Sequence, residues 1–86
     1  MYTVYVIENQ AGKHYIGQTN NLPRRLETHN LEKFDGYTAR IGGPWRIVYS
    51  EVLPTRADAL RQEHYLKQGA GARWLKDKLN NRRGVA

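Results

Sequence analysis

Val4-Tyr5-Val6, then Tyr15-Ile16-Gly17, then Arg25 and His29 just after Asn20-Asn21-Leu22-Pro23: this N-terminal run decides the fold. Two short apolar strands, each carrying a tyrosine, lead into a helix. On a helical wheel at about 100° per residue, Leu22 and Leu26 mark the helix's buried side. Arg25 and His29 fall at the edge of that side, whereas Arg24 points away from it. One strand pair and one helix therefore gather two phenols, a guanidinium and an imidazole near a single seam.

Working outward, Tyr2 to Ile7 is β-branched and aromatic without a breaker, which predicts a strand. Glu8 to Gly12 reads as a turn with Gly12 free to take a positive φ, and His14 to Gly17 returns as the second strand of a hairpin. The turn leaves the register open, and a slip of one residue would send the two tyrosines to opposite faces. Asn20 or Asn21 caps the first helix, which tolerates Pro23 in its first turn and should run to about Glu32. Phe34 to Gly43 reads as a loop. Trp45 to Leu53 is a third strand, stopped by Pro54. Thr55 then caps a second helix running to about Gln68, with Asp58 in the place of a capping-box acid. Gly69-Ala70-Gly71 is expected to break it, ahead of a short last helix with Trp74, Leu75 and Leu79 as its apolar stripe. Asn80 to Ala86 reads as a frayed tail. The order β-β-α-β-α-α predicts an α+β domain over residues 1–86, a three-stranded antiparallel-type sheet flanked by helices.

Composition bounds the function. Eighty-six residues with 14 basic and 8 acidic side chains give a net charge of +6 and a pI near 9.9. Such a balance attracts polyanions, of which nucleic acid is the commonest. The absence of cysteine removes disulfides, thiolate metal sites and cysteine nucleophiles, and suits a cytoplasmic location. No apolar run approaches membrane-spanning length, and Met1 leads straight into strand-like residues, so no signal peptide is expected. Arg73, Lys76, Lys78, Arg82 and Arg83 make the C-terminal segment the most basic; with Arg24 and Lys67 they form the candidate nucleic-acid contacts.

Taken singly, the candidate reactive residues have ordinary roles. Glu63 falls inside the apolar arc of Ala59, Leu60 and Leu66, with Arg61, Gln62 and Tyr65 opposite. A carboxylate there is either half of an i,i+4 pair with Lys67 or a ligand for a hard divalent cation completed by water and phosphate oxygens. Arg25 either packs its stem or grips phosphate as a planar fork. His29 is a proton acceptor near neutral pH or a structural histidine. Tyr5 and Tyr15 are packing aromatics unless a neighbouring base or cation assists a phenol whose ordinary pKa is about 10.

The spacing changes the reading. Tyr15 follows Tyr5 by ten positions, Arg25 follows Tyr15 by ten, and His29 comes one helical turn later. This pattern resembles the GIY-YIG endonuclease superfamily, in particular its small stand-alone domains. Thr3-Val4-Tyr5 and Tyr15-Ile16-Gly17 stand at the two signature triads. Gly36-Tyr37-Thr38, the strand before Glu51, and Ala59-Leu60-Arg61-Gln62-Glu63 with Lys67 extend the likeness to about Leu79. The first triad keeps only its tyrosine, and Gln18 stands where repair-type members carry lysine. The resemblance implies a metal-dependent endonuclease acting on DNA. Tyr5 or Tyr15 would activate water with help from His29, Arg25 would stabilise phosphoryl charge, and Glu63 would hold one Mg²⁺ or Mn²⁺. It also implies that Tyr5, Tyr15, Arg25, His29 and Glu63 line one concave, solvent-open surface. The alternatives are a nucleic-acid-binding module of the same fold without turnover, and a protein-interaction domain using the basic last helix.

Overall fold

A computed structural model describes residues 1–30 and 44–82, with side chains through residue 80. Strands β1 (Tyr2–Glu8) and β2 (His14–Thr19) precede helix α1 (Leu22–Asn30). Strand β3 (Arg46–Leu53), helix α2 (Arg56–Lys67) and helix α3 (Gly69–Arg82) follow. The three strands form one sheet in the order β2-β1-β3, and both pairings are antiparallel. The expected loop from Phe34 to Gly43, the helix end near Glu32, Gly36-Tyr37-Thr38 and Arg83 lie outside the described residues.

The hairpin turn is built by one side chain and one glycine. Asn9 Oδ1 accepts from the amides of Ala11 and Lys13 at 3.0 and 2.9 Å, and Gly12 takes φ of 80°. The resulting register pairs Tyr5 with Gly17 and Ile7 with Tyr15. Directly opposed residues share a face, and so do residues two apart on a strand, so Tyr5, Ile7, Tyr15 and Gly17 all point to the same side.

β1 is the central strand and is buried on both faces. Val4 and Val6 pack with Ala59 and Leu66 of α2 and with Leu75 and Leu79 of α3. Tyr5 and Ile7 pack the other way with Trp45, against Leu22 and Leu26 of α1. Burying each such side chain stabilises the fold by about 1.5–3 kcal/mol, so the sheet is the middle layer between α1 and the α2–α3 pair. At the end of β1, Glu8 lies between its two cross-strand partners. His14 Nε2 is 3.0 Å and an Arg46 Nη 2.9 Å from its carboxylate, which compensates for its burial.

The helix termini match their sequence signals. Asn21 Oδ1 accepts from the Arg24 amide at 3.3 Å, and Thr55 Oγ1 accepts from the Asp58 amide at 3.1 Å. Three details differ from the sequence reading. Leu60 is 38% exposed, because it stands about 100° round α2 from Ala59 and beyond the sheet, whereas Gln62 is half-buried and bonds to Glu51. The break between the last two helices is narrower than Gly69-Ala70-Gly71: Gln68 is extended, Gly69 takes φ of 60°, and the helix begins there. α3 then runs through Asn80 to Arg82, so it is longer than expected and the chain is still helical where fraying was expected.

Gly71 is where α3 meets α2. A Cβ at Gly71 would lie 2.0 Å from the Tyr65 carbonyl oxygen, a backbone atom that cannot swing aside. Gly71→Ala should therefore lower stability by about 2–3 kcal/mol, despite alanine's better helix propensity. Urea unfolding checks this; an unchanged or raised midpoint would show that the helices do not meet so closely.

Candidate active site

Tyr5 and His29 form the centre of the site. The Tyr5 hydroxyl lies 3.0 Å from His29 Nε2. Both residues are closed off, at 1% and 0% exposure. The wheel had put His29 at the edge of α1, yet it is the buried residue of that helix, because the two tyrosines rise from the sheet to enclose it. The ring centroid of His29 is 6.0 Å from that of Tyr5 and 5.0 Å from that of Tyr15, and the tyrosines are 6.2 Å apart. All three contacts are tilted, a favourable aromatic geometry.

Burial, chiefly, pushes the Tyr5 phenol well above its ordinary pKa, the neighbouring Tyr15 adds to this, and Arg25 opposes it by charge and a hydrogen bond. Burial, followed by the charge of Arg25, holds the His29 imidazole below its usual pKa. At neutral pH the pair is thus a neutral phenol and a neutral imidazole, and with the ring proton on Nδ1 the phenol donates to Nε2. Arg25 is half-buried on α1. Beside it runs an open cleft of about 260 Å³, lined by Thr19, Asn20, Asn21, Arg24, Arg25 and Thr28. A phosphate reaching Arg25 through this cleft would pass exposed Arg24.

Gly17 makes room for the centre, a role that sequence reading did not assign. A Cβ there would come within 2.8 Å of the Tyr5 hydroxyl and 3.0 Å of the Tyr15 ring. The signal was present, since Gly17 closes the second triad, but its meaning depends on the register. Gly17→Ala should push the Tyr5 hydroxyl away from His29 and cut any cleavage rate at least tenfold, as a small displacement of reacting groups does. A plasmid-nicking time course measures it; wild-type rates would mean that the glycine is only a strand residue.

Glu63 stands on α2, in the layer across the sheet from α1. Gln62 leans towards β3, where its Nε2 donates to Glu51 Oε1 at 3.1 Å. Glu63, one residue further round the helix, is half-buried. Its negative charge acts on the Tyr5 phenol, and its Oε2 accepts from Lys67 Nζ at 2.7 Å. The i,i+4 pair is thus formed. The structure departs from one open concave surface: Tyr5 and His29 are enclosed because they satisfy each other. Tyr15, Arg25 and Glu63 are half-buried.

The donor set suits a hard divalent ion held at a single carboxylate. Among the described residues no group of three or more His, Cys, Asp or Glu is placed to cage a metal. Mg²⁺ asks for less, because it keeps several waters and binds through one or two carboxylates with substrate phosphates. Glu63 offers such a carboxylate. Gln18, opposite Val4 and so facing the same layer as α2, carries a buried side-chain oxygen without a hydrogen-bond partner, a second hard oxygen.

Of the candidate nucleic-acid contacts, Arg24 lines the cleft beside Arg25 and Lys67 is paired with Glu63. Arg73, Lys76 and Lys78 are exposed along α3 and Lys67 is exposed at the end of α2; Arg82 belongs to α3. No described helix is long and apolar enough to cross a membrane.

Comparison with known proteins shows the family and the fold. A family model described as the GIY-YIG catalytic domain matches residues 1–80. A UPF0213 protein of Bacillus licheniformis is 40% identical over 65 residues, covering 74% of this chain and 65% of the relative. The UPF0213 protein YazA of Bacillus subtilis is 29% identical over 84 residues, covering 94% and 84%. The solution NMR structure of a UPF0213 protein from Bacillus halodurans superposes with a TM-score of 0.53 at 31% identity, covering 92% of this chain and 85% of that one.

Proposed function

The chain belongs to the GIY-YIG catalytic-domain family, a family of nucleases, and on that premise we propose that it is a divalent-metal-dependent endonuclease that hydrolyses phosphodiester bonds in DNA. The observation that carries the proposal is the Tyr5 hydroxyl at 3.0 Å from His29 Nε2, with the charge of Arg25 acting on the same phenol. A phenol whose ordinary state is neutral becomes a competent proton carrier when a base stands behind it. Tyr5 takes the proton of the attacking water as its own passes to His29 Nε2, and Tyr15 closes the other side of the imidazole. Arg25, at the cleft, binds the phosphoryl oxygens in a bidentate manner and stabilises their growing charge. Glu63 would hold one Mg²⁺ or Mn²⁺ through its carboxylate. The ion, when bound, supplies charge stabilisation at the leaving oxygen.

The test is nicking of supercoiled plasmid with Mg²⁺ or Mn²⁺ and with EDTA. Cleavage that needs the metal supports the proposal; a plasmid left intact over a range of metal and salt sinks it. The enclosure of Tyr5 and His29 favours a second reading, a nucleic-acid-binding module that does not turn over, and it predicts binding without nicking.

We also propose that α3 supplies the electrostatic contact to the phosphate backbone. Neutralising Arg73, Lys76 and Lys78 together should weaken binding of all DNA sequences about equally and flatten the salt slope by about two to three, since each phosphate contact contributes about 0.9. A slope that does not move would make this helix a solvated face only.

A further inference from the structure

Two large aromatic side chains on the α2–α3 side are exposed, Tyr65 as its place opposite the apolar arc of α2 predicts and Trp74 against expectation. Trp74, expected in the apolar stripe of α3, is 42% exposed, and Tyr65 of α2 is 48% exposed. Tyr65 packs against Gly71, whose lack of a side chain keeps the two helices in contact. Trp74 is held in place from beneath by Tyr49, edge to face at 5.7 Å and 82°. Together with Glu51 and Gln62 these rings line a recess of about 220 Å³, large enough for one planar base. Its floor is polar and fixed: the Tyr49 hydroxyl donates to Glu51 Oε1 at 3.0 Å, and Gln62 donates to the same oxygen at 3.1 Å. Burial, then the bond to Glu51 and its charge, pushes the Tyr49 phenol up to about 12, so it stays a donor.

We propose that this recess binds one unstacked nucleobase, with Trp74 and Tyr65 as its stacking walls, so that the DNA this protein prefers carries an unpaired nucleotide. The proposal rests on the nucleic-acid reading above and adds a substrate class to it. Aromatic side chains beside a basic track are the general means of holding single-stranded nucleic acid. Here the exposed Arg73 and Lys78 flank Trp74 on the same helix. The Glu51 carboxylate repels phosphate and accepts from base N–H groups, so the recess suits a base edge rather than the backbone. Lys78 Nζ now lies over the Trp74 ring, 5.6 Å from its centroid. From there the long stem of Lys78 can carry its ammonium to the phosphate of a nucleotide whose base lies in the recess.

The experiment is a binding titration in EDTA, where cleavage plays no part. It compares a paired DNA hairpin with the same hairpin carrying a single-stranded extension that contains 2-aminopurine. The wild-type protein should bind the extended form at least about tenfold tighter, as one base–aromatic stack provides, and should quench the 2-aminopurine emission. Trp74→Ala should lose the preference and the quenching while holding the paired hairpin as before, and Trp74→Phe, which keeps a ring, should recover most of both. Equal wild-type affinity for the two forms, or equal loss on both in Trp74→Ala with no recovery in Trp74→Phe, overturns the proposal. If the wild-type protein nicks plasmid but shows no preference, the recess proposal falls and the nuclease reading stands. If it binds neither hairpin at low salt, both fall.

Discussion

Glu63→Gln should leave a folded protein that binds DNA and no longer cuts it. The substitution keeps the shape of the side chain and removes the negative charge that would hold the metal. Loss of one preorganised electrostatic contact of this kind costs about a hundred- to a thousandfold in rate, so nicking should fall by about a thousandfold and should not return at high Mg²⁺. The cost in stability is small. The ion pair with Lys67 joins a half-buried carboxylate to an exposed ammonium across one turn of α2, and such helical pairs contribute about 0.3–0.5 kcal/mol. The metal-free melting temperature should therefore shift by no more than about 4 °C. A variant that melts well below the wild type and still nicks would make Glu63 a structural residue and remove it from the site.

Tyr5→Phe should damage both chemistry and fold. It removes the hydroxyl that lies 3.0 Å from His29 Nε2 inside an enclosed pocket, and losing a buried hydrogen bond costs about 1–3 kcal/mol. If Tyr5 carries the water's proton, cleavage should fall by about 10²–10⁴-fold. Tyr15→Phe tests the other phenol, whose ring lies 5.0 Å from that of His29. A larger loss in Tyr15→Phe than in Tyr5→Phe would reverse the roles. The pH profile adds an independent mark. Burial and Arg25 hold His29 below its ordinary value of about 6.5, so the imidazole is a free base through neutral pH and cleavage should fall only on the acid side. Stability follows the same sign. Below about pH 6.5 the unfolded chain binds this proton more readily than the folded one, so stability is full above that pH and is lost as pH falls through the folded pKa. A wild-type melting temperature flat from pH 7 to 5 would argue against a buried neutral His29.

What the sequence reveals and what it hides divide along a physical line. Strands and helices follow from local signals: the apolar run of β1, Asn21 and Thr55 as caps, and Pro54 after β3. The spacing of Tyr5, Tyr15, Arg25 and His29 reveals the site because helix and strand periods convert it into faces. The depth of His29 is not visible, since a wheel knows only its own helix and the enclosure comes from two rings on another element. The use of Gly17 waits on a register that Asn9 and Gly12 set through backbone geometry. Trp74 misleads for a related reason. Its spacing matches Leu75 and Leu79, yet α3 meets α2 at Gly71, and that contact leaves the indole at the rim.

The attachment of α1 sets how the site moves. The helix is short, and its leucines Leu22 and Leu26 are only half-buried. At its end the Asn30 side chain donates to the Trp45 carbonyl at 3.2 Å and accepts from the Trp45 amide. This clasp imitates one rung of a β-ladder, and with the Tyr5–His29 bond it ties α1 to a sheet whose own cohesion is far greater. Regions with few buried apolar contacts open at a lower free energy than the global one. In native-state hydrogen exchange the amides of α1, and that of Trp45, should therefore exchange ahead of those in β1. Local opening of this one helix would admit solvent to the phenol and imidazole while the rest of the molecule stays closed.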